Sequence, residues 1–187
     1  MATDADSLFE TLLAERDARR LPPVEQWQPE REGTIDIRIA RDGTWYHQGD
    51  PIRREAMVRL FASILRLEEG RYYLVTPVEK LAIEVEDAPL QAIALERDGE
   101  GEAQRLLLTT NGGDHVLVDA EHGLRVEDAG GDPDPYVHVR AGLEARLTRP
   151  LFYELASLAV PAADAPEVMG VWSDGIFFPL GEVEAAS

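Results

Sequence analysis

Apolar positions along this chain keep two rhythms. Over 34–40, TIDIRIA, the residues Ile35, Ile37 and Ile39 fall on one face, which predicts a half-buried strand. RDGT follows with Asp-Gly at its tip, a hairpin turn, and TWYH is the return strand. The rhythm then turns helical: Met57, Leu60, Phe61, Ile64 and Leu65 recur at three- and four-residue steps. Asp50 stands where an N-cap would, and Pro51 suits a first helical position. The pattern predicts a helix over 51–67 with a buried stripe, ended by EEG, then strands RYYLVT and KLAIEVED joined by TPVEK.

Upstream, 7–20 predicts a short amphipathic helix with Leu8, Leu12 and Leu13 on one face. Asp6 or Ser7 would cap it, and Arg19 and Arg20 would end it. The prolines of LPPVEQWQPE predict an extended segment anchored by Trp27. Between 90 and 128, QAIALER, AQRLLLTT, HVLVDA and LRVED predict four strands, separated by DGEGE, NGGD and EHG. AGGDPDP is the most linker-like stretch.

The opening pattern recurs. With Ile52 opposite Leu147, an offset of 95, the hydrophobic register holds without a gap to Val85 opposite Leu180. Arg54 then meets Arg149, and IRIARDGTWYHQGDPI meets VHVRAGLEARL across a shorter hairpin. The expected architecture is α+β: two related lobes, each a small antiparallel sheet with one packed helix, the second enlarged by extra strands. The expected boundaries are 1–30 for an N-terminal helix and docking segment, 31–86 for the first lobe and 87–183 for the second.

Composition narrows the function classes. The 187 residues are 44% hydrophobic, enough for a core, and contain no cysteine, which excludes disulfides, zinc–thiolate sites and thiol catalysis. No apolar run approaches the ~18 residues of a membrane span, and the acidic start of the chain is unlike a signal peptide, so a cytoplasmic location is expected. The 36 acids and 18 bases give a net charge of −18, which repels polymeric nucleic acid and anionic lipid. The four histidines lack the one-turn spacing of a helical metal site, so no metal or cofactor is expected.

Local clusters remain. Arg54 and Arg149, at the starts of the two expected helices, oppose the helix dipole, and either an ion pair or a shared anion would offset that. Arg41, beside Asp42, and Arg140 stand at strand ends where they would join them. Trp45 and Trp172 are either core aromatics or stacking platforms. Thr76, Glu79 and Lys80 of TPVEK form either a solvated turn or a phosphate contact. TTNGGDH lacks the Lys-Ser/Thr ending and helix of a phosphate loop and reads as a hairpin turn. GVWSDG is not a nucleophile elbow, and no catalytic residue is expected.

The motifs GTIDIRIARDGTWYHQGDPIRR, YYLVTPVEKLAIEVEDAPL, TTNGGD, PYVHVRAGLEARLTR and GVWSDGIFFPLG resemble the bacterial family called domain of unknown function 1285. The likeness runs from about Trp27 to Leu180. It departs at Asp50, where the family commonly has serine, and at His47. The resemblance implies a duplicated core, a C-terminal domain loosely similar to pleckstrin-homology folds, and a cleft for a nucleotide-like ligand with a link to signal transduction. It implies no catalytic activity. The leading expectation is therefore a binding protein that clasps a small anionic, nucleotide-like molecule between its lobes. The alternatives are a protein–protein interaction module and, more weakly, a phosphoester hydrolase.

Overall fold

The computed structural model describes residues 5–128 and 131–183, with side chains from Leu8 onward. Asp6 and Ser7, expected to cap the first helix, lie within it, because it already begins at Ala5; residues 129–130 of the AGGDPDP stretch lie outside the described residues. Helix α1 (Ala5–Ala18) and a 3-10 turn (Val24–Gln26) precede the sheets. The inner face of α1 is Phe9, fully buried, with Leu12 and Leu13 half-buried; Leu8, expected on that face, is exposed. Arg105 reaches over the Phe9 ring and pairs with Glu10, fixing the helix to the second lobe.

The first lobe contains β1 (Arg31–Ile39), β2 (Trp45–His47), β3 (Asp50–Pro51), α2 (Glu55–Ser63), β4 (Leu65–Glu68), β5 (Arg71–Val75) and β6 (Glu79–Val85). They form one sheet in the order β3-β2-β1-β6-β5-β4. Ile37 and Ile39 of β1 are buried, as their alternation requires.

The helix is shorter than its pattern. Asp50 and Pro51 do not cap it: they pair with His47 and Tyr46, and Ile52 donates its N–H to the Trp45 carbonyl. Arg54 is the N-cap residue instead, in an extended conformation with no side-chain cap. At the other end, Val75 donates to the Ile64 carbonyl, so the sheet claims the chain from there and Leu65 is a strand residue. The expected stripe is corrected too. Met57 and Leu60 are exposed, Leu60 by 62%, while Ala62 is buried and Val58 and Phe61 pack on the core. EEG is a hairpin between β4 and β5, with positive φ at Glu69 (50°) and Gly70 (78°).

The second lobe begins with β7 (Leu90–Asp98), β8 (Arg105–Thr110), β9 (His115–Leu117) and β10 (Leu124–Glu127). It continues with β11 (Asp134–Arg140), β12 (Leu143–Leu147), α3 (Arg149–Ala156), β13 (Val160–Pro161), β14 (Val168–Ser173) and β15 (Ile176–Glu182). Its main sheet runs β10-β11-β12-β7-β8-β9, and β13-β14-β15 form a third sheet.

The element order hairpin, helix, strand, hairpin thus recurs, in an α+β fold of two related lobes. The pairing does not recur. In the first lobe β6 returns beside β1 in parallel. In the second, β10 occupies the equivalent edge of β11, so β15 cannot pair there. Neither main sheet is purely antiparallel, because β12 also pairs with β7 in parallel. One continuous hydrophobic cluster joins the lobes, from Ile37, Trp45 and Ala62 to Leu90, Val137, Leu155 and Phe178. Ser173, fully buried, ties the third sheet to the second by donating to the Val118 carbonyl and accepting from Leu106 N–H.

Candidate functional site

A cavity of about 690 Å³ opens between the lobes. The first lobe contributes Thr44 and Trp45 from its hairpin and Ile52, Arg53, Glu55, Val58 and Arg59 around α2. The second contributes Ile93 and the β8–β9 hairpin, with Thr109, Asn111 and His115. Glu15 of α1 and Arg19 just beyond it close one side. The TTNGGDH segment is a hairpin turn, as its residues require: Thr110 Oγ1 accepts from the Gly112 and Asp114 N–H groups. What its sequence does not say is that this turn faces α2, with Arg59 Cδ only 3.6 Å from where a Gly113 side chain would begin.

The charges of the cavity differ in freedom. Arg19 is committed: it pairs with Asp114 at 3.0 Å and donates to the Gly112 carbonyl at 2.9 Å. Arg59 pairs with Glu55 one turn earlier on α2, an exposed contact of low strength. Arg53 is exposed. His115 sits between two partners, Thr109 Oγ1 at 2.9 Å from Nδ1 and Glu15 Oε2 at 3.3 Å from Nε2. Trp45 is 1% exposed, and its indole N–H has no acceptor among the described residues.

The residues expected to converge do not. Arg54 is exposed and lines none of the described cavities around α2, whereas Arg149 pairs with Asp132 at 2.6 Å beside a separate, smaller depression that Asp42 also lines. The two arginines share no pocket, and their places differ locally too: α2 starts one residue after Arg54, while α3 starts at Arg149 itself. Asp42 is occupied in its own turn, accepting from Thr44 N–H, and that hydrogen bond holds its carboxyl below the ordinary range.

Arg41 is bound into an interlobe network. It donates to Asp134 at 2.8 Å, and Arg146 donates to the other oxygen of the same carboxylate at 2.6 Å. Tyr136 donates to Asp87 in the same cluster, and burial followed by that carboxylate pushes its phenol up to about 12. Arg140 is likewise consumed, by the Ala62 carbonyl at 2.8 Å and by buried Asp114. Burial lowers its guanidinium pKa, and Asp114 works against that.

Lys80 is buried between Glu32 at 3.1 Å and Glu68 at 3.2 Å, over the Tyr73 ring. Thr76 and Glu79 build the β5–β6 turn, where the Thr76 hydroxyl accepts from the Val78 and Glu79 N–H groups. None of the three lines the interlobe cavity. Trp45 lines it, but as a core residue stacked on Phe61, so it is no open stacking platform. Trp172 packs edge-on against Phe177 by another depression. Among the described residues no group of carboxylates and histidines could hold a metal ion. The sequence places Arg53 beside Arg54 at the expected helix start; the cavity residues that it leaves unassigned include Arg59, Thr109, Asn111 and His115. For Thr109, Asn111 and His115 the signal is the polar TTNGGDH turn, and its position opposite α2 is a tertiary fact.

The same two-lobed architecture is found in solved structures. A crystal structure of a DUF1285 family protein from Silicibacter pomeroyi DSS-3 is 50% identical, covers 92% of this chain and 96% of that one, and superposes with a TM-score of 0.81. Another, from Shewanella baltica OS155, is 31% identical over 65% of this chain and 90% of that one, with a TM-score of 0.53. No curated protein matches the chain. Residues 22–88 match the N-terminal domain of the family described as "Domain of unknown function (DUF1285)". Residues 89–180 match its C-terminal domain, so the two lobes carry the two parts of one family pattern, and the chain belongs to the DUF1285 family.

Proposed function

We propose that this is a bacterial, cytoplasmic small-molecule binding protein. Its interlobe cavity holds an anionic, nucleotide-like ligand in a signalling or stress-response role. The observation that carries this reading is the cavity itself: about 690 Å³, walled by both lobes and α1, with Arg53 and Arg59 at its edge. That volume lies within the range of small-molecule sites, which combine apolar walls with a few polar groups. Guanidinium groups suit phosphate or carboxylate oxygens. Ile52, Val58 and Ile93 offer an apolar surface to the body of the ligand. The likeness of the second lobe to pleckstrin-homology folds belongs to this proposal, supported by a six-stranded sheet with α3 packed against β7.

The test is a thermal-shift screen with nucleotides, sugar phosphates, cyclic dinucleotides and inorganic phosphate at millimolar concentration. A ligand at one hundred times its Kd stabilises by about 2.7 kcal/mol, a shift of several degrees. The double substitution Arg53→Ala, Arg59→Ala should abolish the shift, while Arg149→Ala should keep it. A flat response to every compound overturns the reading.

One observation favours a second reading, an interaction module. Met57 and Leu60 leave the outer face of α2 apolar and exposed. Capture of a lysate protein by the wild type but not by Leu60→Glu would support it.

A further inference from the structure

The cavity contains a chain of three side chains that ligand binding alone does not require. Thr109 and His115 stand opposite each other across the β8–β9 ladder, which brings Thr109 Oγ1 to 2.9 Å from His115 Nδ1. The other ring nitrogen, Nε2, lies 3.3 Å from Glu15 Oε2 on α1. All three residues line the interlobe cavity.

The protonation pattern follows from donor and acceptor counting. An ionised carboxylate only accepts, so Glu15 at 3.3 Å favours the tautomer with its hydrogen on Nε2. In the neutral ring Nδ1 is then an acceptor, and the Thr109 hydroxyl is the donor that faces it. The Thr109 proton is therefore aimed at a base, and its oxygen lone pairs are left for a ligand. A hydroxyl, an imidazole and a carboxylate in this order are the parts of a nucleophile–base–orienter relay.

From this we infer that the cavity is an acyl-transfer site, in which Thr109 is the nucleophile, His115 the general base and Glu15 a positioning residue. The inference rests on the reading that the cavity admits a small anion. The substrate class is an ester with a negatively charged group, because Arg53 and Arg59 share the cavity. Thr109 Oγ1 attacks the acyl carbon as its proton passes to His115 Nδ1. The tetrahedral intermediate collapses by breaking the carbon–oxygen bond to the leaving alcohol, which takes that proton from Nδ1. Water then attacks the threonine ester, with His115 again taking and returning one proton. The carboxylic acid leaves and the hydroxyl is restored. No redox partner or metal is needed. Glu15 holds the ring in the tautomer that leaves Nδ1 free to accept.

The experiment uses the full chain with the 4-nitrophenyl monoester of succinate as anionic probe and 4-nitrophenyl acetate as neutral control. The expected result is a burst of nitrophenolate, one per chain, with a mass increase of one succinyl group on Thr109. Turnover of the anionic ester should exceed that of the neutral one at least tenfold. Thr109→Ala and His115→Asn should lose the burst, and Thr109→Ser should keep it. Glu15→Gln should move the pH profile of acylation, which a merely structural role would not do. Circular dichroism and melting temperature establish that each variant is folded.

A wild-type chain that gives no burst and no adduct overturns the inference. A rate that survives Thr109→Ala in the folded variant also overturns it. If anions raise the melting temperature while no acylation occurs, the relay fails and the binding reading stands. If acylation occurs although no anion in the screen shifts the melting temperature, the relay stands and the nucleotide-like ligand falls.

Discussion

Arg140 donates a hydrogen bond from its guanidinium to the carbonyl of Ala62 at 2.8 Å, so a strand of the second lobe closes the C-terminal end of the first lobe's helix. Positive charge at that end complements the helix dipole. The same guanidinium faces buried Asp114 at 3.4 Å, and Asp114 also holds Arg19, just beyond α1. One carboxylate therefore joins α1, α2 and both lobes around the cavity.

Removing that carboxylate's charge should be costly. Asp114→Asn leaves Arg140, whose pKa burial already depresses, and Arg19 without their counterion. Breaking one member of a buried ionic cluster costs about 3–5 kcal/mol. The urea midpoint should fall accordingly with an unchanged m-value. A variant within 1 kcal/mol of wild type would show, by the same principle, that the cluster does not hold the lobes together.

The hairpin tip should respond to a single methyl group. Gly43 has φ of +89°, and a Cβ there would stand 2.6 Å from Gln91 Oε1. The side chain of Gln91 donates to the Asp42 carbonyl at 2.8 Å across the lobes. Gly43→Ala should cost about 1 kcal/mol for the backbone and a similar amount for the displaced hydrogen bond. Gly49→Ala, at φ +83° with open space around it, should cost only the backbone part. Equal midpoints for the two variants in urea would refute the interlobe contact.

Trp45 separates packing from polarity. Trp45→Ala empties a fully buried site and should cost about 3–5 kcal/mol. Trp45→Phe also removes the indole N–H that lacks an acceptor, so the lost volume is partly offset and the cost should stay near 1 kcal/mol.

The Asp87–Asp134 cluster sets limits at both ends of the pH scale. Tyr136 has its phenol raised to about 12 by burial and by Asp87. The folded state therefore favours the neutral phenol. That stability is complete below the ordinary value near 10 and is lost as pH rises from about 10 to 12. Burial works to raise Asp134, but hydrogen bonds from Arg41 and Arg146 prevail and lower it. Its contribution is present above about pH 4 and is lost as pH falls below that. Tyr136→Phe should flatten the alkaline limb of a stability–pH curve and leave the acid limb unchanged.

The local sequence determined the strands with clean alternation, the Asp-Gly turn and the recurrence of one element order, because side-chain period and turn chemistry are properties of neighbouring residues. It did not determine where α2 begins and ends. Asp50, Pro51 and Leu65 fit a helix by local preference, yet ladder hydrogen bonds to β2 and β5 outweigh capping and propensity. Nor did it determine that β10 displaces β15 from the edge of β11, since strand pairing is a competition among distant segments. The cavity belongs to the same class of facts. Charged residues such as Arg41, Lys80 and Arg140 read as ligand groups in the sequence, but folding brings each to carboxylates far along the chain. The hairpin that read as a plain turn faces α2 across the cleft, because long-range packing, and not spacing, decides which polar groups remain free.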